Sequence, residues 1–163
     1  MSSVYLLKFK QIPHIRLAAH WGIFLPYEYS PFDADGNPII GDLFQASKVC
    51  GGCSQRNSNT TLWERQPHFD LPSCPNLIDV LRLDNTDNVS DTILVDACNH
   101  VSQDRKFNVI SKNCQHWVRE VLARLIEQNY INNDVYEQMK LHGFKTAAEA
   151  VMTSSSGSLT FWN

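Results

Sequence analysis

Nucleophilic chemistry has one well-placed candidate in this chain, the cysteine of Asn113-Cys114-Gln115-His116-Trp117-Val118-Arg119-Glu120-Val121-Leu122-Ala123-Arg124-Leu125. Trp117, Val118, Val121, Leu122 and Leu125 recur at the spacing of one helix face, which puts Cys114 in the first turn and Asn113 at the N-cap. The unpaired N–H groups of a first turn and the positive end of the helix dipole both favour thiolate over thiol. A thiolate is a nucleophile for carbonyl carbon, so the chemistry to expect is acyl transfer. A helical cysteine is more commonly a small buried hydrophobe, and a partner base is what separates the two cases.

The base candidates are His14, His20, His68, His100, His116 and His142. His116 is two residues from Cys114 and on a helix points elsewhere. His20 sits inside an apolar run, where a fixed scaffold would hold its ring. Gln45 carries an acceptor oxygen that can take an imidazole N–H and set the tautomer. Cys114, His20 and Gln45 thus form a set of roles: nucleophile, general base and orienter. A neutral orienter suffices because a thiol ionises easily. The Cys114 backbone N–H offers one oxyanion donor. Trp21, Asn113 and Trp117 flank these residues and are the candidates for substrate contact.

The elements that must position them can be read from periodicity. Val4 to Ile12 has the residues of a strand. Ile15 to Leu25 is a more continuous apolar strand, as expected of one buried on both faces. Ser30 to Pro38 is turn chemistry, with Asp35-Gly36-Asn37-Pro38 at its centre, and it leads to a strand over Gly41 to Val49. Antiparallel pairing of these two strands would set His20 beside Gln45, although periodicity does not choose the register. Cys50 to Thr61 is a polar loop; Leu62 to Leu71 and Asn76 to Leu83 read as further strands, separated by the break Pro72-Ser73-Cys74-Pro75. Val89 to Val101 reads as a helix capped by Ser90, with Ile93, Leu94, Ala97 and Val101 on one face. Asp134 to Leu141 is a short helix stopped by Gly143, and Thr146 to Met152 another, opening on a capping-box pattern. A Ser-rich tail, 153–163, ends on the apolar Phe161-Trp162.

Composition bounds the remaining possibilities. A length of 163 residues suits one domain, here 1–152 followed by the tail. The net charge of −3, without any basic aromatic cluster, argues against nucleic acid as a partner. No apolar segment approaches the roughly 20 residues of a membrane span. The N-terminus lacks the pattern of a signal peptide. Five cysteines, an odd number, then suit reduced thiols and a cytoplasmic location. Cys50-Gly51-Gly52-Cys53 with His68 and Cys74 could supply zinc ligands, but the downstream spacing matches no compact site, so neither metal nor cofactor is expected.

Two of these segments carry a resemblance. His20-Trp21-Gly22-Ile23-Phe24-Leu25 followed by Asn113-Cys114-Gln115-His116-Trp117-Val118 resembles the permuted papain-like thiol enzymes. That group includes the lecithin:retinol acyltransferase family, with a His-Trp strand and an Asn-Cys-Glu-His-Phe-Val helix. In general plan it is similar to the bacterial NlpC-type peptidases, and the two boxes resemble those of a fungal-type branch. The resemblance covers residues 15–127. It implies an α+β fold with a circularly permuted papain-like core, in which an antiparallel sheet packs on the Cys114 helix and short helices follow. It also implies His20 as base and Cys114 as nucleophile. The acyltransferase family has a second histidine on the next strand where this chain has Gln45, and that departure counts against phospholipid acyl transfer. The permuted deSUMOylating isopeptidases share the strand His and later Cys, but no ubiquitin-like docking surface is legible here.

The resulting expectation is a cysteine hydrolase or acyltransferase acting on a small amide or ester, with a thioester on Cys114, in specialised metabolism by analogy. Two alternatives stand beside it. One is a non-hydrolytic cyclisation or addition with His20 as base, and the other is a catalytically silent binding module.

Overall fold

A computed structural model of the chain describes residues 3–10, 19–48, 61–103, 105 and 114–145. The fold is α+β. Five strands, β1 (Tyr5–Phe9), β2 (His20–Pro26), β3 (Ile40–Lys48), β4 (Thr61–Asp70) and β5 (Leu77–Arg82), form one antiparallel sheet in the order β4-β3-β2-β1-β5. Among the described residues three α-helices follow: α1 (Asp91–Ser102), α2 (Cys114–Glu127) and α3 (Asp134–Leu141).

Strand alternation sorts the side chains onto two faces. Leu6, Trp21, Ile23, Phe44 and Ala46 point into the main core, where they meet Leu94, Ala97 and Cys98 of α1 and Trp117, Val118, Val121, Leu122 and Leu125 of α2. Tyr5, Leu7, Phe9, Phe24, Leu43 and Leu71 make a second, smaller cluster on the opposite face. The central strand β2 contributes to both, which is why its sequence is apolar without a break. Its expected N-terminal part, 15–18, lies outside the described residues.

The edge strand β4 is exposed along most of its length and contains Pro67, which cannot donate to a ladder and is tolerated at an edge. The register slips there between Gly41 and Leu43 of the partner strand. His68 takes a left-handed backbone (φ 53°), and its N–H is diverted to the Tyr27 hydroxyl at 3.0 Å. On β3 the buried Asp42 accepts from that same Tyr27 hydroxyl, and from Arg65 Nε at 2.7 Å. Arg65 also reaches Asp91 of α1 at 3.2 Å, so one guanidinium ties the sheet edge to the first helix.

Local signals in the sequence account for the helix ends. The Ser90 hydroxyl accepts from the Ile93 N–H at 3.3 Å, capping α1. Gly143 follows α3 at φ +79°, a conformation that costs a side-chain-bearing residue about 1 kcal/mol or more. Phe144 then packs on Trp21, with ring centroids 5.5 Å apart, returning the chain to the core. Between α1 and α2 the buried Arg105 makes two bonds to Glu120, at 3.0 and 2.6 Å. The short helix expected over 146–152, the loop at 50–60 and the tail at 153–163 lie outside the described residues. Among those described, no helix is long and apolar enough to cross a membrane.

Candidate functional site

Cys114 is the first residue of α2 and 7% exposed. It stands where the first-turn N–H groups have no intrahelical acceptor. The Gln115 backbone N–H is directed at its sulfur, and so is the N–H of Trp21 from β2. His20, the first residue of β2, shares a hydrogen bond with the Cys114 thiol. Ninety-four positions of sequence therefore close into one contact between a strand start and a helix start.

The register of β2 and β3 brings the third residue in. Ile23 pairs with Phe44 and Phe24 with Leu43, so continuing the count sets Gly22 opposite Gln45. Gln45 is then the diagonal neighbour of His20 on one sheet face, within reach of a long side chain. Its Oε1 lies 2.8 Å from His20 Nε2. Gly22 between them leaves room for packing: a Cβ there would lie 2.7 Å from Leu43 Cδ1 and 3.5 Å from Phe9 Cε2. The Phe9 ring in turn lies against the His20 ring, centroid to centroid 5.7 Å.

The hydrogen-bond partners of Gln45 set the tautomer. Gln45 Nε2 donates to Glu64 Oε1 at 2.7 Å, and a carboxylate can only accept. The amide is thereby oriented with its oxygen toward His20. That oxygen can only accept, so His20 Nε2 carries a proton, and Nδ1 is the ring nitrogen left for the sulfur.

Both partners of the thiol–imidazole contact are shifted toward charge. Burial alone would push the His20 imidazolium down. The bond and charge of Cys114, the bond to Gln45 and the charge of Glu64 together outweigh burial, and the His20 pKa is raised. For Cys114, burial favours the neutral thiol, but the His20 bond and charge and the Trp21 and Gln115 N–H groups outweigh it, and the pKa is lowered. Cys98 is the internal contrast: buried in apolar surroundings with nothing to offset that, its thiol is pushed far up.

A further polar bond fixes the approach of helix to strand. Gln115 is 2% exposed, and its Nε2 donates to the Ala19 carbonyl at 2.8 Å, joining the second residue of α2 to the residue before His20. Sequence reasoning singled out neither Gln115 nor Glu64. A polar residue next to the cysteine on an otherwise apolar helix face was the available hint for Gln115. Glu64 had none, because only the β3–β4 register places it opposite Gln45.

Trp21 and Trp117 lie wholly in the core, at 1% and 0% exposure, so they back the site as wall and offer a ligand no open surface. Trp117 Nε1 donates to the Ser102 hydroxyl at 2.8 Å, joining α2 to α1. Asn113 lies outside the described residues, as do Cys50 and Cys53. His68 is exposed on β4 with its ring against Tyr27, and the half-buried Cys74 packs at the second cluster. Among the described residues, no group of three His, Cys, Asp or Glu side chains could hold a metal. His116 is half-buried on α2.

Comparison with protein-family models, with curated proteins and with solved structures finds no match to this chain.

Proposed function

We propose that the chain is a thiol enzyme of the acyl-transfer class, a hydrolase or acyltransferase on a circularly permuted papain-like plan, with a small amide or ester as substrate. The observation that carries this reading is the hydrogen bond between Cys114 and a His20 ring whose far nitrogen is held by Gln45. A structural cysteine in a core has no use for a half-buried, oriented imidazole, whereas a nucleophile requires one.

In this reading the Cys114 thiolate attacks the carbonyl carbon and the C=O π pair moves to oxygen. The oxyanion is held by backbone N–H donors at the start of α2, the Cys114 N–H among them. His20, protonated, gives its proton to the departing amine or alcohol as the C–N or C–O bond breaks, leaving a thioester on Cys114. His20, now neutral, takes a proton from water or from an amine or alcohol acceptor, which attacks the thioester and returns Cys114 as thiolate. Gln45 keeps the ring turned toward the sulfur throughout.

The reading is tested by trapping the intermediate. Incubation with p-nitrophenyl acetate should acetylate Cys114, seen on the Cys114 peptide by mass spectrometry, with a burst of nitrophenolate. Cys114→Ala should abolish the burst and His20→Ala should slow it at least a hundredfold, the order of a general-base contribution. A folded wild-type protein that acylates Cys114 no faster than its folded His20→Ala variant would overturn the proposal.

A further inference from the structure

Glu64 is exposed on an edge strand, in the position of an ordinary solubilising charge. Its partner is not ordinary. Its carboxylate accepts from Gln45 Nε2 at 2.7 Å, and the same amide presents Oε1 to His20 Nε2 at 2.8 Å. Glu64, Gln45 and His20 form a line of polar side chains across β4, β3 and β2, ending on the Cys114 sulfur.

We propose that Glu64 is a positioning residue for the thiol–imidazole pair, acting through Gln45 by locking the orientation of the Gln45 amide; this rests on the reading of Cys114 and His20 as nucleophile and base. An amide has two nearly isosteric ends, and Gln45 alone does not decide which of them faces the imidazole. With the oxygen inward, His20 bears its proton on Nε2 and Nδ1 is free to take the thiol proton. With the nitrogen inward, Nε2 becomes an acceptor and Nδ1 bears the proton in the neutral ring. The ring then has no lone pair for the thiol proton, and an imidazolium would face the amide N–H with its own. A carboxylate beyond Gln45 breaks this symmetry because it accepts and never donates.

Among the described residues, four elements place groups around the ring. α2 contributes Cys114, β4 contributes Glu64, β3 the neutral Gln45 and β1 the neutral Phe9 ring. Among the described residues, the charges acting on His20 are thus the thiolate on one side and the Glu64 carboxylate behind Gln45. Glu64 is solvent-exposed, so its direct field at the ring is screened and the orientation of the amide carries most of its influence.

The test is the pH dependence of Cys114 alkylation by iodoacetamide, read on the Cys114 peptide, in wild type, Glu64→Gln and Glu64→Lys. A Gln at 64 can offer either end to Gln45 and so releases the lock. A Lys at 64 can only donate, which favours the inverted amide. Expected is a loss of alkylation rate at pH 6 of about three- to tenfold in Glu64→Gln, and a larger loss in Glu64→Lys. Thermal midpoints should stay within about 2 °C of wild type, since an exposed edge substitution changes stability little. In a Gln45→Glu background, where the orienter itself can only accept, Glu64→Gln should no longer lower the rate. Variants whose profiles superimpose on a wild-type profile with a depressed midpoint would overturn the role of Glu64 and leave the pair standing. A wild-type Cys114 that titrates like a free thiol in solution would overturn the pair and this inference together.

Discussion

Replacement of His20 by Asn removes the imidazolium while keeping a polar side chain at the start of β2. In the proposed reading the wild-type pair is a thiolate and an imidazolium, and the two side chains share a hydrogen bond. At roughly 4 Å and an effective dielectric near 20, two such charges attract by about 4 kcal/mol. His20 is only half-buried, so a screened figure of about 2 kcal/mol is the lower bound. At about 1.4 kcal/mol per factor of ten, the thiolate-to-thiol ratio at a given pH should fall by about thirtyfold to a thousandfold. The sign follows from the direction of the shift. The Cys114 pKa is depressed below that of an ordinary thiol, so its thiolate persists as pH falls from 9 toward the folded value; without His20, burial acts against only two backbone N–H groups. The assay is iodoacetamide alkylation from pH 5 to 9, resolved by peptide, with N-acetylcysteine as the solution reference. Cys114 is 7% exposed, which slows alkylation at every pH, so the midpoint and not the absolute rate is the readout. A His20→Asn protein that folds and keeps the wild-type midpoint would refute the reasoning.

Other perturbations have separable outcomes. Gln115→Ala removes the bond to the Ala19 carbonyl and should cost about 1–3 kcal/mol in urea unfolding, with a larger fractional loss in Cys114 reactivity as the start of α2 drifts from β2; unchanged reactivity would show that packing alone holds the approach. Gly22→Ala places a methyl 2.7 Å from a Leu43 methyl in the second cluster, and about 1–3 kcal/mol of overpacking should appear as a lowered urea midpoint. Asp42→Asn leaves Arg65 without its buried partner, and because the Arg65 side chain is 37% exposed the loss should stay near 1–2 kcal/mol by chemical denaturation, below the full value for a buried pair. Cys98, raised by burial alone, should resist alkylation in the native protein to strongly alkaline pH and react once urea unfolds the chain; ready labelling near neutrality would contradict its place in the core.

Much of the fold could be read residue by residue because its causes are local. The apolar spacing from Trp117 to Leu125 specifies a helix and the face it buries, and the chain places Cys114 at its start. Ser90 starts one helix and Gly143 stops another through their own chemistry. The unbroken apolar run of β2 requires a central strand, and the sheet order puts it there. Expectations at the edges were coarser: the strand expected over Val4 to Ile12 spans Tyr5–Phe9 where it is described, and the break at 72–75 includes a short 3-10 turn over Leu71–Ser73. Trp21 and Trp117, expected as core and pocket-wall residues as well as candidates for substrate contact, lie inside the core, since a large apolar ring on the inner face of a strand or helix gains more from burial than from lining an opening.

The amino-acid sequence by itself determined which residues could act, since a thiol at a helix start and an imidazole on a buried strand are local facts. Only the tertiary structure decided that they meet. A one-residue slip between β2 and β3 would send Gln45 to the other face, and no local pattern forbids it; the packing of Phe24 on Leu43 and of Ile23 beside Phe44 on their separate faces does. The Gln115–Ala19 bond and the Gln45–Glu64 bond join residues 96 and 19 positions apart, pairings that periodicity cannot encode. Periodicity records the neighbours a residue has along its own element, and the pairing of Cys114 with His20 is set by how elements pack.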